Sequence, residues 1–248
     1  MTLVFVHGNP ETAAIWDALV AVLDEPDVVR LSPPGFGVPV PPGWHATPIA
    51  YRDWLVQQLE AIGMPVDLVG HDWGGAHAIG VAMTRPDMLR SWCVDTIGWF
   101  EPDYTWHSLA RTWQTPGPGE IAAAEMTHSS LTRRTAYLSG LRIPARIAAE
   151  LASGANRVAA SCMLELYRTS QQPVMRHLGE QLPAAAQRPG LALLATADYG
   201  TGTGAARRKA AERAGAQVAV LAGLGHWWML QDPATVAPVL REFWSAAT

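Results

Sequence analysis

Residues 66–80 read VDLVGHDWGGAHAIG: an apolar run, a break at Gly-His-Asp-Trp-Gly-Gly, then a small-residue stretch of helical character. Asp72 thus sits on a glycine-flanked kink between two segments that both suit burial. Gly70-x-Asp72-x-Gly74 has the nucleophile-elbow form G-x-S-x-G, with aspartate in place of serine. Glycine on both flanks removes β-carbons that would clash in so tight a strand–turn–helix, and Gly75 lets the helix pack close. Such a turn drives the central side chain upward, exposed, on strained backbone. It also sets that side chain at a helix N-terminus, where backbone N–H groups favour an anion. Asp72 is therefore expected to be ionised at neutral pH and usable without a base to deprotonate it. A plain helix N-cap would explain the aspartate, but not glycine on both sides.

Outward from the kink, six short apolar runs read as buried strands: Leu3–Val6, Val28–Leu31, Val66–Val69, Trp92–Asp95, Leu191–Thr196 and Val218–Leu221. Helical patterns lie between most of them. Ala13–Leu23 carries Trp16, Leu19, Val20 and Leu23 at helical spacing. Thr47-Pro48 opens a helix that closes at Gly63, and Asp232-Pro233 opens the last one, through Val236, Val239, Leu240 and Phe243. This alternation predicts an α/β fold, a mostly parallel sheet covered on both faces. The kink falls at the carboxyl end of a strand, where open α/β sheets bind ligands. From Trp99 to Arg188 no strand-like run occurs, and helix-prone pieces are separated by elements such as TPGPGE (115–120). Residues 1–98 and 189–248 are thus expected to form the core, with 99–188 as an inserted helical cap.

Composition narrows the function classes. Of 248 residues, 49% are hydrophobic and 16% charged, which suits a packed sheet and not a disordered chain. The net charge of −4, with no basic block, gives a nucleic-acid partner no electrostatic support. The N-terminal MTLVFVHG lacks a basic leader, and no run approaches the ~18 apolar residues of a membrane span. A cytoplasmic protein without a membrane partner is expected. Cys93 and Cys162 have no metal-ligand spacing and read as reduced, buried thiols. No cofactor or metal is called for.

Two further signatures flank the same strand ends. In His7-Gly8-Asn9-Pro10, the N–H after His-Gly can point at the same space as the N–H of Trp73, forming an oxyanion hole. The Asn9 amide can also donate to an anion. The plain alternative is a turn in which His7 bonds locally. Gly225-His226-Trp227-Trp228 follows the last strand, where His226 can reach the elbow as a general base. Its orienting acid is Asp198, in LLATADYG (193–200), with Asp95 as the competing acid. The chain order nucleophile, acid, histidine is that of α/β-hydrolases.

On these residues, HGNP (7–10), GHDWGG (70–75), Asp198 and GHWW (225–228), the chain resembles an α/β-hydrolase of the aspartate-nucleophile branch. That group holds epoxide hydrolases and haloalkane dehalogenases. The resemblance spans nearly the whole chain. It departs at the N-terminus, where the family usually has two strands before the His-Gly turn, so a sheet smaller by a hairpin is expected. It departs again at LSPPGFG (31–37), where many relatives carry an aspartate.

The resemblance implies an alkyl ester on Asp72, hydrolysed by water that His226 deprotonates, with Asn9 and Trp73 N–H groups as oxyanion hole. Epoxide hydrolases polarise the ring oxygen with two lid tyrosines. Tyr167, in LELYRTS (164–170), resembles their tyrosine–arginine element, with Tyr104 as partner and Tyr137 as its alternative. Dehalogenases hold the halide with N–H donors, a role matched by Asn9 and Trp73, while Trp99, Trp106 and Trp113 offer further indoles. Packing alone also accounts for each tyrosine and most of the tryptophans. Hydrolysis of a small apolar epoxide is the preferred reading and dehalogenation the alternative. A ligand-binding protein on this fold would not need nucleophile, acid and base together, and an esterase would carry serine at the elbow.

Overall fold

The computed structural model describes residues 2–141 and 143–247; Met1 lies outside them. Six strands form one sheet: β1 (Leu3–Val6), β2 (Val28–Leu31), β3 (Val66–Gly70), β4 (Leu89–Val94), β5 (Gly190–Ala195) and β6 (Gln217–Leu221). Their order is β2-β1-β3-β4-β5-β6, every pair parallel. All six apolar runs became strands. β4 begins three residues earlier than its apolar run suggests, because Arg90 and Ser91 break that run. Both side chains pair with buried Asp67 on β3, so their polarity is spent inside the sheet.

Twelve α-helices occur among the described residues. Before β5 come α1 (Asp17–Leu23), α2 (Pro48–Ile62), α3 (Trp73–Thr84), α4 (Ser108–Gln114), α5 (Pro118–His128), α6 (Leu131–Gly140), α7 (Ala145–Gly154), α8 (Arg157–Thr169) and α9 (Val174–Gly179). After it come α10 (Gly204–Arg213), α11 (Trp228–Gln231) and α12 (Pro233–Ala246). The predicted caps hold: Thr47 accepts from the Ala50 N–H, helix α2 stops at Gly63 in the left-handed region, and Asp232 accepts from the Thr235 N–H. The predicted Ala13–Leu23 helix is split, its first turn (Ala13–Trp16) being a 3₁₀ helix.

Alternating strand side chains feed two cores. Val4, Val6 and Leu68 pack against α2, α3 and α10; Leu3, Phe5 and Val69 pack against α1, α11 and α12. Burial on both faces is why the strands read as continuous apolar runs. Between β4 and β5, helices α4–α9 occur and no strand among the described residues. No described helix is long and apolar enough to cross a membrane. Cys93 and Cys162 are buried free thiols.

Register positions the site. Val6 pairs with Gly70, and Gly70 with Val94, so the turns leaving β1, β3 and β4 start side by side.

Candidate active site

Asp72 occupies the turn between β3 and α3 with φ +52° and ψ −128°, a conformation rare for a residue bearing a β-carbon. Contact forces this tightness. A β-carbon on Gly74 would strike the Val6 carbonyl, and one on Gly8 would collide with the Asp72 carboxylate itself. Although Asp72 precedes α3, its side chain makes no capping bond, so the N-cap explanation fails. Its Oδ1 instead accepts the Asn9 N–H at 3.1 Å. The Trp73 N–H also favours the ionised carboxylate.

The expectation of an exposed, readily ionised carboxylate needs correcting. Asp72 is only 4% exposed. Burial lifts its pKa to about 6, against the pull of His226. The side chain is ionised at neutral pH by a narrower margin than an N-terminal helix position alone suggests.

His226 follows β6. Its Nδ1 lies 3.0 Å from Asp198 Oδ2, and its Nε2 lies 3.9 Å from Asp72 Oδ2, beyond hydrogen-bond reach. Burial and neighbouring His71 lower the ring's pKa, but the hydrogen bond and charge of Asp198, with the charge of Asp72, outweigh them and raise it. Asp198 also accepts the Gly200 N–H at 2.8 Å. Against burial, the His226 ring and that N–H hold its pKa down at about 2. Asp95, the competing acid, faces away from His226: it accepts the Asp72 N–H at 3.1 Å and the Trp228 indole N–H at 2.7 Å, and it pairs with His71. His7 bonds to the carbonyl of its neighbour Gly8 and to the Ser32 hydroxyl in the loop after β2.

A cavity of about 910 Å³ opens over these groups. Asn9, Asp72, Asp198 and His226 line its sheet side, and Trp113 of α4, Tyr137 of α6 and Tyr167 of α8 line the other. The predicted donors divide sharply. Tyr167 is 2% exposed; burial and the nearby charge of Asp72 push its pKa well up, and its hydroxyl meets no hydrogen-bond acceptor among the described residues. Tyr104 does not line the cavity, because its hydroxyl donates to the Gly200 carbonyl at 2.8 Å. Trp99 spends its indole N–H on the same carbonyl at 3.1 Å. Tyr137 lines the cavity but is 67% exposed. The Asn9 side-chain amide and the indole N–H groups of Trp73, Trp106 and Trp113 are buried without partners in hydrogen-bond geometry. The Trp73 ring packs against Trp99, Trp106 and Tyr167, with centroids 4.9, 5.8 and 5.4 Å away.

Sequence reasoning missed Glu11 and His71. Both are buried and ion-paired 3.2 Å apart, and the His71 ring lies 4.6 Å from that of His226. Their signal was adjacency: Glu11 follows the His-Gly turn directly, and His71 precedes Asp72. Glu11, His71 and His226 bring ligand-type atoms within 4.8 Å of one another. Both His71 nitrogens already face carboxylates, and Asp198 holds one nitrogen of His226. The cluster is built as an ion-pair network and not as a metal cage.

An epoxide hydrolase of Caballeronia sordidicola is 30% identical over 94 residues, 36% of this chain and 29% of that protein. Stretches matching curated relatives span about a third of those proteins' length. Among solved structures, epoxide hydrolase CorEH superposes with TM-score 0.79 at 18% identity, covering all of this chain and 92% of that one. Haloalkane dehalogenase DbeA from Bradyrhizobium elkani USDA94 gives 0.72 at 22%, covering 99% and 91%. At such identities the superpositions speak for the fold. The family model described as the alpha/beta hydrolase family matches residues 3–239, almost the whole chain. With sheet and elbow turn in agreement, this chain belongs to the alpha/beta hydrolase family.

Proposed function

We propose that Asp72 is a nucleophile that forms an alkyl ester, and that His226 activates the water that hydrolyses it. One observation carries this reading. Asp72 Oδ1 rests on the Asn9 N–H, while Oδ2 faces the cavity and His226 Nε2. Oδ2 then attacks the substrate carbon, and Oδ1 becomes the carbonyl oxygen of the ester. Water attacks Cγ, passing its proton to His226 Nε2. The negative charge that develops on Oδ1 meets the Asn9 N–H already aimed at it, with the Trp73 N–H also favouring charge on this group. Collapse breaks the Cγ–Oδ2 bond, and Oδ2 leaves with the product as an alkoxide that takes the proton back from His226 Nε2. The water oxygen, losing its second proton to solvent, completes the carboxylate with Oδ1.

The charges coordinate the two steps. In the resting site, ionised Asp72 helps keep His226 protonated. Alkylation converts Asp72 to a neutral ester, which removes that support and frees Nε2 to act as base. Asp198 holds the ring through Nδ1 throughout.

Epoxide opening is the reaction we favour. As Oδ2 attacks a ring carbon, the carbon–oxygen bond breaks and the alkoxide takes the proton of Tyr167, whose hydroxyl lies near the Asp72 charge and the Trp73 indole. The inserted helices act as a lid whose aromatic lining excludes water. A second reading, dehalogenation, is favoured by the unpartnered Asn9 amide and Trp73 indole, two buried donors suited to a halide. A side-by-side assay on styrene oxide and 1-bromobutane, following diol and free bromide, separates the readings. Diol without bromide supports the first, bromide without diol supports the second, and neither product overturns both.

A further inference from the structure

Beneath the His226 ring lies a second set of ionisable groups that the proposed reaction does not consume. His71 is wholly buried, its Nδ1 against Asp95 Oδ2 at 2.5 Å and its Nε2 against Glu11 Oε1 at 3.2 Å. Ionised carboxylates only accept hydrogen bonds, so both ring nitrogens carry protons and His71 is an imidazolium. The same two carboxylates hold the surrounding backbone. Glu11 accepts the Gly8 N–H at 3.1 Å and the Trp227 indole N–H at 2.6 Å. Asp95 accepts the Asp72 N–H and the Trp228 indole N–H. The turns after β1, β3 and β4 and the loop carrying His226 are therefore tied to one buried bridge.

We propose that Glu11–His71–Asp95 is a positioning element for His226: it fixes a positive charge under the base and locks the turns that hold nucleophile and base together. The inference rests on the reading of His226 as the base. Asp198 and Asp72 both draw a proton onto His226, and Glu11 adds to their pull. His71 opposes them from below, and His107, on the cavity side, opposes them more weakly. His7, buried and held to a pKa of about 4, is neutral and adds no charge. Against its burial, Asp95 and Glu11 keep His71 charged well above the ordinary histidine range. After ester formation the charge of Asp72 is gone, and Asp198 and His71 dominate the basicity of the ring.

The test uses the intact chain and whichever of styrene oxide or 1-bromobutane it turns over. Turnover of His71→Gln is expected to fall about tenfold more than wild type between pH 8.5 and 6.5, the mark of a proton held one unit more tightly. Covalent adduct on Asp72 should accumulate at the lower pH, read by intact mass. Independently of substrate, nitrogen-15 spectra of the wild-type histidines should show one ring still doubly protonated after the exposed histidines have lost their proton, with signals that move in Glu11→Gln. An unchanged pH profile in folded His71→Gln, or no such ring in the spectra, overturns the bridge. His226→Gln separates the two readings. If it traps adduct while His71→Gln behaves as wild type, only the bridge fails; if it turns over normally, the assignment of His226 fails first.

Discussion

The Tyr104 hydroxyl donates to the Gly200 carbonyl, and the Gly200 N–H in turn donates to Asp198. A tyrosine expected to face the leaving group instead braces the loop that carries Asp198. Tyr104→Phe should therefore cost less than about tenfold in turnover, the worth of one neutral hydrogen bond. Tyr167→Phe should slow epoxide opening about a hundredfold, as loss of a donor to developing charge does. Equal effects of the two substitutions would contradict this division.

With Asp72 as the proposed nucleophile, activity is coupled to instability. Burial raises its pKa from 3.8 to about 6, so above about pH 6 the folded protein holds an ionised carboxylate that burial disfavours. Below pH 3.8 both folded and unfolded chains are protonated and the penalty vanishes. Asp72→Asn should abolish turnover yet stabilise the fold by about 3 kcal/mol at pH 8. That gain should shrink toward zero at pH 4, as read by thermal melts.

On the proposed mechanism, the same carboxylate sets the acid limb of activity. Ester formation needs it ionised, so kcat/KM should fall about tenfold per pH unit below about 6. A limb near pH 4 would mean that burial does not perturb Asp72 in solution.

Asp198→Asn keeps an acceptor for the Gly200 N–H but removes the charge that orients and supports His226. Turnover should fall by about a thousandfold or more. The ester should persist on Asp72, because its formation needs no base. Intact-mass analysis after mixing with substrate checks this; an unmodified protein would point to a failed first step instead.

Asn9 acts through two groups that substitution can separate. Asn9→Ala retains the backbone N–H on Asp72 but deletes the unpartnered amide. Bromide release should drop at least about tenfold, with diol formation nearly unchanged. The opposite pattern would move the amide to the epoxide reaction.

Much of this architecture was written locally. Strands buried on both faces announce themselves as apolar runs, and the elbow by glycines that backbone contact demands at positions 70 and 74. The choice of Asp198 over Asp95 was not readable in the same way. Both end a strand, and only the sheet order and the Trp228 indole decide that Asp95 turns to His71. The Tyr104 assignment failed for a related reason: a hydroxyl's partner at residue 200 is a long-range fact, invisible to spacing within the inserted segment. Glu11 and His71 were overlooked because a charge inside an apolar stretch shows no periodicity, and its compensation comes from distant turns.

The backbone conformation at Asp72 also bears on how such a protein can diversify. A residue held at φ +52° between glycines that tolerate no β-carbon leaves almost no room for variation around the elbow. Trp113, Tyr137 and Tyr167 approach from a separate stretch of chain and are free of that constraint. New specificities are therefore most accessible by rewriting the ceiling of the chamber, where substitution meets less backbone constraint than at its floor.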